Sequence, residues 1–182
     1  DLDPGPGVHM HNDGNAYQTG WVLKLAPDGI YQWSKAWTTN HIVQVDNVVA
    51  DHNGNVILSG IYSRDMDLAP GPLVVPAPHV SSGRCGFMTA LDAGGTYLWS
   101  GELGNGEFDA YLDFMALAPD NGSRICGWFR GEMDMDPGPG TTLYTGPTTF
   151  QSTMLLAIDN IGISTALPAA SPGISITCAT TS

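Results

Sequence analysis

The sequence predicts an all-β protein, and three observations carry the prediction. The 182 residues include 23 glycines and 13 prolines, which cost a helix interior about 1 and 3 kcal/mol each. Charged residues make up only 13%, about half the usual ~25%, so the Glu- and Lys-rich surface of a helical bundle is missing. Short apolar segments bounded by turn residues recur every 66 or 67 residues, and a fixed period of this size marks a repeat architecture. Hydrophobic residues at 42% and aromatic residues at 9% exclude wholesale disorder. No run of about 18 apolar residues offers a membrane-spanning helix.

Independent landmarks share the period. Asp1-Leu2-Asp3-Pro4-Gly5-Pro6-Gly7 returns as Asp134-Met135-Asp136-Pro137-Gly138-Pro139-Gly140. A degraded copy, Asp65-Met66-Asp67-Leu68-Ala69-Pro70-Gly71-Pro72, lies between them. Gly20-Trp21-Val22-Leu23-Lys24-Leu25 matches Gly86-Phe87-Met88-Thr89-Ala90-Leu91, and again Thr153-Met154-Leu155-Leu156-Ala157-Ile158. Gly29-Ile30-Tyr31-Gln32-Trp33-Ser34 matches Gly95-Thr96-Tyr97-Leu98-Trp99-Ser100, and the segment 56–62 matches 123–129.

Each unit holds four strand candidates. In the first they span 20–26, 30–37, 45–51 and 55–62, and in the second 86–92, 96–100, 111–118 and 123–130. Pro27-Asp28-Gly29 and Ala93-Gly94-Gly95 close the first hairpin of each unit. Asn53-Gly54 and Asn121-Gly122 close the second, and Asn-Gly suits a type I′ turn with two residues at positive φ. Longer connections run over 38–44 and 101–110. Four antiparallel strands per unit describe a β-propeller blade, which buries both faces against its neighbours. Trp21, Trp33, Trp37, Phe87, Trp99, Trp128 and Phe129 are the expected packing residues between blades.

The pattern of an apolar strand, an Asp/Asn-x-Gly turn, a strand with Trp-Ser and a strand ending in Gly resembles the SBBP-type β-propeller repeats of large bacterial secreted and surface proteins. It is carried by Trp21, Trp33-Ser34 and Asp51-His52-Asn53-Gly54-Asn55. The Asp-x-Asp-Pro-Gly-Pro-Gly loop is similar to one found between blades in a subgroup of those repeats. The resemblance covers roughly residues 1–163. It implies a fold and an extracellular or cell-surface location, and it supplies no catalytic residue.

On this reading residues 1–67 form a first blade with its preceding loop, 68–136 a second blade, and 137–166 a partial third. Residues 167–182 are a linker and the start of a C-terminal sorting segment. The segment 171–176 is similar to the region where type IX secretion cargo passes from its last folded domain into a sorting domain. About two full blades plus partial ones do not close a ring of four to eight. The expectation is a fragment of a larger propeller, completed by other blades or chains.

Six basic residues face 18 acidic ones, for a net charge of −12. Nucleic acid is excluded as a partner for want of a basic cluster, and no membrane insertion is expected. Carboxylates favour divalent cations instead. The three cysteines, Cys85, Cys126 and Cys178, lack metal-binding spacing. Cys126, within an apolar segment, reads as a small buried hydrophobe. A disulfide from Cys85 to Cys178 or to Cys126 stays open.

The Asp loops are the one chemically suggestive element. Paired carboxylates at Asp1/Asp3, Asp65/Asp67 and Asp134/Asp136, on a proline-stiffened loop, suggest calcium sites completed by backbone oxygens. The competing and preferred reading is a rigid turn whose Asp side chains accept local backbone amides. His9-Met10-His11 reads as a solvated loop rather than a metal site, and Asp51–Asn55 as a hairpin turn. Glu102, Glu107 and Asp109 read as solvated loop acids, although a glycosidase would need such a pair. No nucleophile or phosphate-loop motif is present. The expected function is a non-enzymatic surface scaffold for adhesion or for binding protein or glycan. The alternatives are a calcium-stabilised stalk or secretion cargo of a surface filament, and part of a polysaccharide-acting propeller enzyme.

Overall fold

The computed structural model describes residues 1–12, 17–77, 80–119, 122–138, 140–158 and a short strand at 174–175. All regular structure among them is β, in twelve strands. These are β1 (Gly20–Leu25), β2 (Tyr31–Trp37), β3 (Ile42–Ala50), β4 (Val56–Ser63), β5 (Cys85–Leu91), β6 (Tyr97–Leu103), β7 (Ala110–Leu117), β8 (Ser123–Phe129), β9 (Glu132–Asp134), β10 (Leu143–Thr145), β11 (Ser152–Ile158) and β12 (Ile174–Ser175). Every pairing between them is antiparallel. No helix of the described residues is long and apolar enough to cross a membrane.

All eight strands expected in the first two units are present, but one unit does not make one sheet. The sheets run β1-β2, β3-β4-β5-β6 and β7-β8-β11-β12, with β9-β10 as a small ribbon. Hydrogen-bonded units are therefore offset by half a sequence repeat. The point between residues 67 and 68 falls in the connection from β4 to β5, neighbours within one sheet. The crossings from sheet to sheet are 38–41 and 104–109. A repeat read from sequence has a period but no phase, so it cannot say which strand pairs with the next unit. β12 adds a further difference, since part of the expected sorting segment pairs with β11.

The three sheets stack. One core joins Val22 and Trp37 of the first sheet to Val43, Leu58, Tyr62 and Phe87 of the second. The other joins Ile57 and Met88 of the second to Leu112, Ile125, Met154 and Leu156 of the third. Alternation along the strands explains this division, because successive side chains point to opposite faces. The middle sheet is covered on both, and every residue of β4 and β5 is buried.

Of the expected packing aromatics, Trp37, Phe87 and Phe129 are buried, and Trp33 and Trp99 pack at the core margins. Trp21 is 53% exposed, and Trp128 lies half-buried, stacked on Tyr111 with ring centroids 4.4 Å apart. Cys126 also departs from expectation. It shares the outward face of β8 with Trp128 and is half-buried, while Cys85 is the buried thiol. Both are free thiols. Cys178, Asn121, Pro139 and the stretch 159–173 lie outside the described residues.

Local chemistry sets the turns. Asp51 O accepts Gly54 N at 3.0 Å, and Gly54 has φ +80°. Asn53 does not share the positive φ, since Arg64 is the only non-glycine with one among the described residues. The turn is thus a non-primed one closed by a left-handed glycine, not type I′.

A second glycine requirement sits inside the strands. β3 shifts register between Val45 and Asn47 opposite β4, and β7 between Tyr111 and Phe114 opposite β8. These bulges push a carbonyl toward the partner strand. A Cβ on Gly60 would collide with Gln44 O, and one on Gly127 with Tyr111 O. Gly60→Ala and Gly127→Ala should each cost about 1–3 kcal/mol. Chemical denaturation should show this as a lower midpoint.

Candidate functional site

The Asp-x-Asp-Pro-Gly-Pro loops fold as three copies of one clasp. Asp1 Oδ1 accepts the amides of Asp3 at 3.0 Å and His9 at 2.9 Å. Asp67 Oδ1 accepts those of Ala69 at 3.0 Å and Val75 at 2.8 Å. Asp134 Oδ1 accepts those of Asp136 at 3.0 Å and Thr142 at 2.8 Å. Beside each carboxylate the next residue closes the loop through its backbone: Leu2 N to His9 O, Leu68 N to Val75 O and Met135 N to Thr142 O. In the outer copies the second carboxylate stiffens the Pro-Gly tip, with Asp3 accepting Gly5 N and Asp136 accepting Gly138 N.

This geometry corrects the pairing of the middle copy. Asp67, not Asp65, is the counterpart of Asp1 and Asp134, and Ala69 stands where Asp3 and Asp136 stand. Asp65 lies two residues before the clasp. Among the described residues no three His, Cys, Asp or Glu side chains come together as a metal-binding group.

The clasps also wedge between sheets. Met66 and Leu68 enter the first core, and Met133 and Met135 the second. Leu68 O accepts Trp37 Nε1 at 3.1 Å and Thr89 Oγ1 at 3.1 Å, bridging two sheets. Asp134 O accepts Gly104 N at 3.0 Å.

The remaining candidates take local partners. His9 stacks on Tyr31 at 4.0 Å, and His11 Nε2 lies 2.8 Å from Ser34 Oγ, so the two imidazoles serve different neighbours. Burial, helped by nearby positive charge, lowers the His11 pKa. Asp51 accepts the amides of Asn53 and Asn55. Burial alone would raise its pKa, but these bonds and the Asn55 side chain outweigh it and hold the carboxyl below the usual range. Glu107 is exposed, and Asp109 Oδ2 lies 4.0 Å from Arg130 Nη1.

Glu102 is not a loop residue. It belongs to β6, and its Oε2 accepts the Tyr62 hydroxyl at 2.6 Å. Burial, with the Asp134 charge adding to it, pushes the Glu102 carboxyl up against the lowering effect of the Tyr62 bond. The adjoining Cys85 thiol is pushed up to about 11, mainly by burial, and burial raises Tyr62 as well.

The sequence did not reveal a polar cavity of about 260 Å³ lined by His41, Ser63, Arg64, Arg84, Asp109 and the 80–83 segment. It lies where the connections after β2, β4 and β6 meet. His41 Nδ1 is 2.6 Å from Ser63 Oγ, Arg64 Nη1 donates to Ser81 O at 3.0 Å, and Arg84 bonds the Tyr111 hydroxyl. Arg64 has φ +71°, a left-handed backbone uncommon outside glycine. Two guanidinium groups, an imidazole and several hydroxyls suit a ligand rich in hydroxyl or anionic groups. The pairing of Ile42 with Ser63 and the bond from Ala110 N to Arg84 O bring the connections that carry the set together. A scan against protein-family models and searches of curated proteins and of solved structures find no match to the chain.

Two outcomes follow. Asp134→Ala strands two partly buried amides and should cost about 1–3 kcal/mol, whereas Asp134→Asn keeps an acceptor oxygen and should cost less than half as much in the same denaturation assay. The second concerns pH. The folded protein binds the Glu102 proton more tightly than the unfolded chain, whose carboxyl keeps its ordinary value near 4.5. The stability it contributes is complete below that value and is lost as pH rises through the folded one. Glu102→Gln, which still accepts from Tyr62, should raise the melting temperature at pH 7 and flatten its decline from acid to neutral pH.

Proposed function

We propose that the protein is a non-enzymatic extracellular or cell-surface β-propeller scaffold for adhesion or for binding a protein or glycan. One observation carries the reading: equivalent positions are buried within the stack and bare at its ends. Phe87 and Met88 are both 0% exposed, while their repeat counterparts Trp21 and Leu155 are 53% and 49% exposed. Stacked four-stranded units of this kind need further units on either side, as propeller blades do.

The sheets form the rigid part, and the connections at their ends carry specificity. The cavity around His41, Ser63, Arg64 and Arg84 is the binding surface in this reading. Glu102 is engaged by Tyr62 and Asp109 faces Arg130, which supports ligand binding over an acid pair for sugar hydrolysis. The calcium-stabilised reading is separated by chelation. Clasps closed by backbone amides should keep their melting temperature in EDTA, and a fall of several degrees would assign the Asp loops to calcium.

Glycan and surface-protein arrays probed with the full chain test the ligand. Binding should be lost in Arg64→Ala with the β-sheet circular dichroism signal retained. Retained binding in that variant would move the ligand away from this cavity, and no binding on either array would overturn the adhesive reading.

A further inference from the structure

The geometry points to β1 as a strand-accepting edge whose occupant is a further repeat strand of the β4 type, extended and alternately apolar, with a glycine opposite Trp21. The inference rests on the stacked-repeat half of the reading above and is independent of any ligand at the His41 cavity.

In the second sheet β5 pairs with β4 on one side and β6 on the other. In the third, β11 pairs likewise with β8 and β12. β1 holds the equivalent place in the first sheet and pairs with β2 alone among the described residues. Apart from the Gln18–Ile42 bridge just before it, its other edge has no strand partner among the described residues, and such an edge is the standard template for strand addition.

Beside that edge lies a cleft of about 480 Å³, in which Trp21, Val22, Val43, Val45 and Leu58 share the lining with polar residues of β3, Gln44 and Asp46 among them. The matching space between the second and third sheets is filled by β3 and β4, which pack on β7. Here Ile57 of β4 enters the core. The cleft thus combines an edge with no strand partner among the described residues with a partly apolar floor, in the place that a repeat strand fills elsewhere in the same molecule.

The register specifies the occupant. Gly60 stands opposite Phe87 and Gly127 opposite Met154. Trp21 is the counterpart of both partners, so the incoming strand runs antiparallel to β1 and sets a glycine against Trp21. Its neighbours follow the Val56–Ser63 pattern, with an apolar side chain three residues before that glycine and another directly after it.

The test uses the full chain and a synthetic peptide of residues 55–63 with flanking lysines. Amide exchange at 20–25 should slow about tenfold when the peptide is present at ten times its Kd. A peptide with proline at the positions of Ile57 and Ser59 and a scrambled peptide with the same lysines should give no protection. Protection of β1 before peptide is added would mean that the edge is already covered by this chain or by a second copy, and would overturn the inference. Equal protection by the scrambled peptide, or none by any, would do the same. Array binding reads the His41 cavity separately, so either result leaves the other standing or failing by itself.

Discussion

Every residue of β4 and β5 is buried, and this burial on two faces governs the rest of the structure. A sheet that is apolar on both sides cannot exist as an outer layer. It draws the β1-β2 hairpin onto one face and the β7-β8-β11 strands onto the other, and each fully buried large side chain contributes about 1.5–3 kcal/mol. The covering sheets repeat the same alternation and leave Trp21 and Leu155 exposed on their far sides. Tyr62, Phe87 and Trp37 meet at one of these junctions, where ring contacts fix the spacing between sheets.

The clasp loops serve this arrangement. Connecting β4 to β5 and β8 to β11 takes the chain across the edge of a neighbouring sheet, where unbonded amides would be costly. One carboxylate oxygen absorbs two of them, and prolines fix φ over the tip. The residue between or after the acids, Leu68 or Met135, then turns into the core. The motif is chemically conspicuous in the sequence because it is polar and rigid, yet its visible work is local hydrogen bonding.

The strands were legible in the sequence because apolar runs and Gly-containing turns are local signals, and because each occurred twice. Sheet membership was not, since pairing between β4 and β5 spans the longest connection in the unit. The Asp65 assignment failed for a related reason. The Asp-x-Asp spacing drew attention to Asp65, whereas the Pro70-Gly71 anchor aligns Asp67 with Asp1. Cys126 was misplaced because an apolar neighbourhood says nothing about which face a strand residue occupies. The cavity at His41 had no signal at all, being built from side chains that only the completed sheets bring together.

The half-unit stagger between sequence repeat and sheet has a mechanical consequence. Each stretch of 66 or 67 residues contributes two strands to one layer and two to the next, as bricks overlap the joints beneath them. Tension along the backbone is therefore carried from layer to layer by the covalent connections at 38–41 and 104–109, one between each pair of sheets.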